Sequence, residues 1–123
     1  VLLGEAAVRT VIGSPQIMAD QLRYLLELMD LSNVDIRVVP FSAGWTQAHA
    51  GAFILVESDE GPSIVNLEMQ AGGLILPDRD DLGIHRRAAD AVREKAMSSN
   101  ATKELIGKAL TELEVWNDES TRP

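Results

Sequence analysis

The chain has no cysteine among its 123 residues, which excludes a disulfide framework and any thiolate metal site. That absence fits a reducing compartment, and a cytoplasmic location is the expectation. Long hydrophobic runs are also missing. The longest, such as the "AGAFILVE" ending at Glu57, fall far short of the roughly 18–20 residues a membrane span needs. No basic segment followed by an apolar one opens the chain, so nothing reads as a secretory leader. Cations are scarce: 11 Lys and Arg face 19 Asp and Glu, for a net charge of −8. Apart from Arg86-Arg87, the bases are scattered singly. Duplex binding rests largely on basic side chains neutralising phosphates, so this chain by itself is a poor DNA binder. The same imbalance disfavours docking on an anionic membrane. Repeats, linkers and low-complexity blocks are absent too.

What is present suits one soluble domain. A chain of this length can bury a core without staples, and 46% apolar with 24% charged residues is ordinary for such a domain. The opening, Val1-Leu2-Leu3-Gly4-Glu5-Ala6-Ala7-Val8, is apolar and lacks a Met. Natural termini are usually solvated, so the chain is expected to be a fragment of something longer.

Ser14-Pro15 reads as a helix start, with Ser as N-cap and Pro at the first helical position. Ile17/Met18, Gln21/Leu22, Tyr24/Leu25 and Leu28/Met29 then recur at helical spacing, predicting a helix over 15–30. Gln16, Asp20, Arg23, Glu27 and Asp30 take the other face, where Arg23 and Glu27 can pair. Val34 to Val39 alternates as a half-buried strand that Pro40 closes. Strands over 52–57 and 63–69 flank the turn Asp59-Glu60-Gly61-Pro62 and form an antiparallel hairpin. Ala71-Gly72-Gly73 bends the chain before a short strand at Leu74-Ile75-Leu76. Two helices follow. The first opens at Pro77-Asp78 with His85, Ala88, Ala89, Val92 and Ala96 inward. The second, after Ser98-Ser99-Asn100, turns Leu105, Ile106, Ala109, Leu110 and Leu113 inward. The expected fold is α+β, with a small antiparallel sheet in the order β-α-β-β-β-α-α packed on amphipathic helices. One domain spans 1–116, and 117–123 is a disordered tail.

Each candidate for chemistry has a plainer reading beside it. His49, in the glycine-flanked loop with Trp45, could serve as a general base or ligand contact; the plainer reading is a solvated loop histidine. Glu68 lies in a strand between Leu67 and Met69. Burial would raise its pKa and make it an acid, base or clamp, whereas alternation puts it with Asn66 on a solvated sheet face. Glu5, in an apolar opening strand, either does likewise or caps or pairs with an Arg. Gln21 falls within the helix stripe, so its amide is either tied to backbone or touches a ligand. Gly72-Gly73 lacks the Lys-Ser/Thr of a phosphate loop and reads as a bulge or close packing. Trp45 must cover the domain's own core, a pocket or a partner. Neither G-x-S-x-G nor H-E-x-x-H occurs. The residues expected to line a ligand site are Trp45, His49, Phe53, Glu68 and Gln21. No catalytic residue, metal site or cofactor is expected.

The run "LLGEAAVRTVIGSPQIMADQLRYLLELMDLSNVDIRVVPFSAG", followed by "GAFILVE" and "IVNLEMQAGGLIL", resembles an actinobacterial domain of unknown function (DUF5753-like). That domain follows an N-terminal helix-turn-helix in Xre-like transcriptional regulators. The shared positions are Glu5, Gly13, Gln21-Leu22, Val39-Pro40-Phe41, Gly51, Phe53, Glu68 and Gly72-Gly73. The resemblance implies the C-terminal regulatory part of a DNA-binding regulator, touching DNA only through the helix-turn-helix absent from this chain. Its expected partners are a small-molecule effector or a small partner protein, with a homodimer as a further possibility. A dimerisation or interaction module without small-molecule ligand is the alternative. The family has no established reaction, so no catalytic residue is implied.

Overall fold

The computed structural model describes residues 1–120, apart from the side chains of 117, 119 and 120. In chain order the elements are β1 (Leu2–Gly4), α1 (Glu5–Arg9), α2 (Pro15–Leu28), β2 (Arg37–Val39), β3 (Phe53–Val56), β4 (Ile64–Glu68), β5 (Gly73–Leu76), α3 (Arg79–Lys95) and α4 (Ser99–Ser120). Short 3-10 turns lie at Phe41–Ala43 and Gln47–Ala50. The class is α+β with a small antiparallel sheet, as the pattern predicts, and a separate parallel pair joins β1 to β2. Two compact units make up the chain: Val1–Ser42 with Ala96–Pro123, and Ala43–Lys95. No helix among the described residues is long and apolar enough to cross a membrane.

In the first unit, Ser14 caps α2 as its residue type predicts: its Oγ accepts the Ile17 N–H at 3.2 Å. Met18, Ala19 and Leu22 are buried against Ile106, Ala109 and Leu113 of α4, with Val8 and Val38 completing the core. The buried stripe is narrower than the sequence suggests. Ile17 and Tyr24 are 61% and 54% exposed, and Gln21 is exposed as well. One helix, α4, supplies most of the cover, and it shelters the Met18–Leu22–Leu25–Met29 line rather than a full half-cylinder. Arg23 binds Asp20 and, at 2.8 Å, Glu114, rather than Glu27. Expected inward positions of α4 hold throughout: Leu105 and Leu110 pack beside the buried trio. Ser98 Oγ accepts the Ala101 N–H at 3.1 Å, which is the recapping read at Ser98-Ser99-Asn100. Just beyond it, Thr102 is fully buried. Its Oγ1 accepts the Val38 N–H at 2.9 Å, while the Val38 carbonyl accepts the Met97 N–H at 2.8 Å. Both backbone groups of this central β2 residue are thereby satisfied.

Three local readings need correction. The opening strand stops at Gly4, and Glu5–Arg9 is helical. Ala6-Ala7 favours helix, the Glu5–Arg9 pair spans one turn, and the turn buries Val8 to 1% exposure. Regular pairing in β2 begins only at Arg37, although the inward alternation of Ile36 and Val38 is real. Helical backbone also continues through Ser120, past the residue where composition predicts a tail; the last tail positions, 121–123, lie outside the described residues.

The second unit is the antiparallel sheet β3-β4-β5 with α3 on one face. Its register pairs Phe53 with Leu67, Leu55 with Val65, Val65 with Leu76 and Leu67 with Leu74. These residues share the inner face, where Val65 is fully buried and α3 contributes Leu82 and Val92. Ile54, Val56, Ile64, Asn66 and Ile75 share the other face by the same period of two. The hairpin turn is held by Ser58, whose Oγ accepts the N–H groups of Glu60 and Gly61 at 3.2 and 3.0 Å. The β4–β5 turn needs its glycines. Gly72 sits at φ +90°, and a Cβ on Gly73 would lie 3.2 Å from the Leu67 carbonyl oxygen.

Candidate functional site

The loop over 41–51 is less free than a polar, glycine-containing stretch suggests. Thr46 is fully buried and forms a reciprocal cap with His49 at the start of the second 3-10 turn. The Thr46 N–H donates to His49 Nδ1 at 3.1 Å, and Thr46 Oγ1 accepts the Ala48 N–H at 3.3 Å. Nδ1 also lies 3.2 Å from the Thr46 carbonyl oxygen and 3.3 Å from Thr46 Oγ1. His49 is a structural residue of its own loop. Trp45, one residue before the cap, is 67% exposed, and its carbonyl accepts Lys95 Nζ at 3.4 Å.

A cleft of about 430 Å³ opens where the Gln47–Ala50 turn, the ends of β3 and β4, and α3 meet within the second unit. Phe53, Leu67, Met69, Ile84 and Ala88 give it an apolar lining, and Gln47, Glu68 and His85 supply polar groups. The rings of Phe53 and His85 meet edge to face, with centroids 4.9 Å apart and planes at 73°. His85 Nδ1 lies 2.7 Å from the Asp81 carbonyl, which can only accept, so Nδ1 donates and, in the neutral ring, Nε2 is the acceptor. Among the described residues Nε2 has no hydrogen-bond partner. The size and the mostly apolar wall with a few polar groups suit a small ligand.

Of the five residues singled out in the sequence, this cleft gathers two, Phe53 and Glu68. Gln21 belongs to the first unit and is exposed, not buried in a helix stripe. Trp45 and His49 do not line the cleft. Glu68 is exposed at the end of β4, in register with the outer-face positions Asn66 and Ile64, and its atoms also border the cleft. No hydrogen bond joins Glu68 to His49 among the described residues. The residue that sequence reasoning passes over is His85. It shows there only as one position of a helical stripe, because its partner Phe53 is far away in the chain.

A hollow of about 690 Å³ also runs along α4, but Glu104, Gly107, Lys108, Thr111, Glu112 and Val115 all belong to that one helix. It is the open side of a helix and gathers no second wall. No cluster of three or more metal-ligating side chains occurs among the described residues.

Glu5 joins two stretches that look unrelated in the sequence. Its carboxylate accepts the Phe41 N–H at 2.7 Å and Arg9 Nε at 2.8 Å. The Phe41 amide, then the Arg9 guanidinium, hold its pKa below the usual carboxylate value. The same contact raises the pKa of Arg9. Glu5 thus ties the start of α1 to the Pro40-Phe41 turn behind β2, and its reading as a structural partner of an Arg is the right one.

The family model for a domain of unknown function (DUF5753) matches residues 1–108. No curated protein and no solved structure matches the chain. The positions that carry the resemblance have local physical reasons here: Glu5 bonded to Phe41, Gly13 and Gly51 at positive φ, and Gly72-Gly73 in the tight β4–β5 turn. With that pattern in place and most of its length matched, the chain belongs to the DUF5753 family of domains of unknown function.

Proposed function

We propose that this chain is the regulatory part of a helix-turn-helix transcriptional regulator and that it works by binding a small effector. The observation that carries the reading is the Phe53–His85 cleft, apolar on most of its wall and furnished with an available imidazole acceptor at its side. Occupancy of the cleft couples to the rest of the regulator if the effector prefers one of two conformations. The acidic balance of the chain leaves DNA contact to a separate domain.

Native mass spectrometry of the intact regulator, purified from its own cells, tests this. A small molecule should travel with the protein and be lost from Phe53→Ala and His85→Gln variants that keep the parent fold. Operator occupancy unchanged by both substitutions, with nothing retained by the parent, sinks the proposal. A second reading, a protein-binding module, is favoured by Trp45, which stands 67% exposed and covers neither core nor cleft.

A further inference from the structure

The sheet of the second unit has an outer face whose aliphatic side chains are largely exposed. Ile54, Val56 and Ile75 are 49%, 45% and 60% exposed, and Ile64 stands beside Val56 in the register. Asn66, between Ile54 and Ile75, is the one polar side chain across the middle. Together these residues make a contiguous aliphatic strip.

Charge says what it contacts. From Val38 to Asp78 the sequence contains no Lys or Arg at all, yet it holds Glu57, Asp59, Glu60, Glu68 and Asp78. All three strands and their connecting turns fall within that stretch. Glu68 ends strand β4, Glu57 directly follows β3, and Asp59 and Glu60 sit in the hairpin turn. Arg86 of α3 neutralises Glu57; the other acids are exposed and have no salt bridge among the described residues. Glu68, which alternation sets on the outer face, and the Asp59-Glu60 turn give this aliphatic strip an anionic rim.

We infer that this outer face of β3-β4-β5 docks a basic amphipathic segment of another protein, apolar side chains against Ile54, Val56, Ile64 and Ile75 and Lys or Arg against the rim. A second copy of this chain fits poorly, because it brings the same acids to the same rim and a net charge of −8 to each partner. Size points the same way. Three strands of four or five residues span roughly 200 Å², at about 4.8 Å between strands and 3.3 Å per residue. A standard globular interface takes about 800 Å² from each partner. One helix or strand suffices to cover the strip. The inference rests on the protein-binding reading and not on the effector cleft, which lies on the α3 side of the sheet.

The test uses the 123-residue chain and three labelled synthetic peptides: alternating leucine and lysine, alternating leucine and glutamate, and oligolysine. Anisotropy gives affinities, and amide shift mapping locates the contact. The leucine–lysine peptide should bind, with shifts concentrated on Ile54, Val56, Ile64 and Ile75. Ile54→Ser with Ile75→Ser should weaken it by at least about tenfold. Asp59→Asn with Glu60→Gln should weaken it about two- to fivefold, an effect that added salt removes. Phe53→Ala should leave it unchanged, which separates this result from the fate of the effector cleft. Equal binding of oligolysine, equal binding of the leucine–glutamate peptide, or shifts confined to the α3 side overturns the inference. Self-association through Ile54 and Ile75 overturns it in favour of a second copy. If the serine variant fails to fold, the shift map on the parent chain decides.

Discussion

Glu5 shows how one side chain can organise a junction. Its carboxylate is 11% exposed and accepts two hydrogen bonds, one from backbone and one from a guanidinium. Glu5→Gln keeps the shape and removes the charge, so equilibrium denaturation should show a loss of about 1–2 kcal/mol at neutral pH. The pH dependence has a fixed sign. Because the folded-state pKa lies below the ordinary value of 4.5, Glu5 contributes its full stabilisation above that pH. It loses that contribution progressively as the pH falls through the folded value. The parent and Glu5→Gln melting curves should therefore converge on acidification below about 4.5 and stay parallel above pH 6 or so. Thr102 is the second such residue. Thr102→Val keeps the volume but strips the Val38 N–H of its acceptor inside the core. A loss of about 1–3 kcal/mol is expected by chemical denaturation, and amide exchange at Val38 should accelerate with it. The Glu5–Phe41 and Val38–Thr102 contacts are not legible from the order of residues, because each joins positions far apart in the chain, whereas the Glu5–Arg9 pair is local.

Among the elements, the β4–β5 turn is the one whose geometry dictates its residues. Gly72→Ala places a side chain at φ +90°, a conformation that costs an L-residue roughly 1–2 kcal/mol. A lowered melting temperature with an unchanged cleft is the expected calorimetric and ligand-binding outcome. Elements with chemical punctuation at their ends are legible in the sequence. Ser14-Pro15 marks α2, the Asp59–Pro62 turn marks the hairpin, and Ser98 marks the start of α4, since caps and turns are local chemistry. The one-turn helix α1 is not legible, because five residues show no periodicity. Nor is the parallel pairing of β1 with β2, which no alternation pattern encodes. Of the candidate site, Phe53 and Glu68 stand out by residue type. Gln21 misleads because a helix stripe inferred from spacing is wider than the one neighbour that covers it.

For the molecule as a whole, charge is the property with the clearest consequence. With −8 overall and its bases dispersed, the chain should leave duplex DNA unshifted in a mobility assay at about 150 mM salt and micromolar protein, as counterion release demands cationic clusters. A retarded band under those conditions contradicts the proposal that DNA contact belongs to a separate domain. The same acids guard the open margins of the three-stranded sheet. Among the described residues β3 and β5 each end it without a neighbouring strand, and an aliphatic strand left bare can template the stacking of further chains into fibrils. Repulsion between like-charged neighbours holds such growth in check. Acidification toward the isoelectric point near 4.6 erases that repulsion, so turbidity should arise there first, seeded from Ile54, Val56 and Ile75.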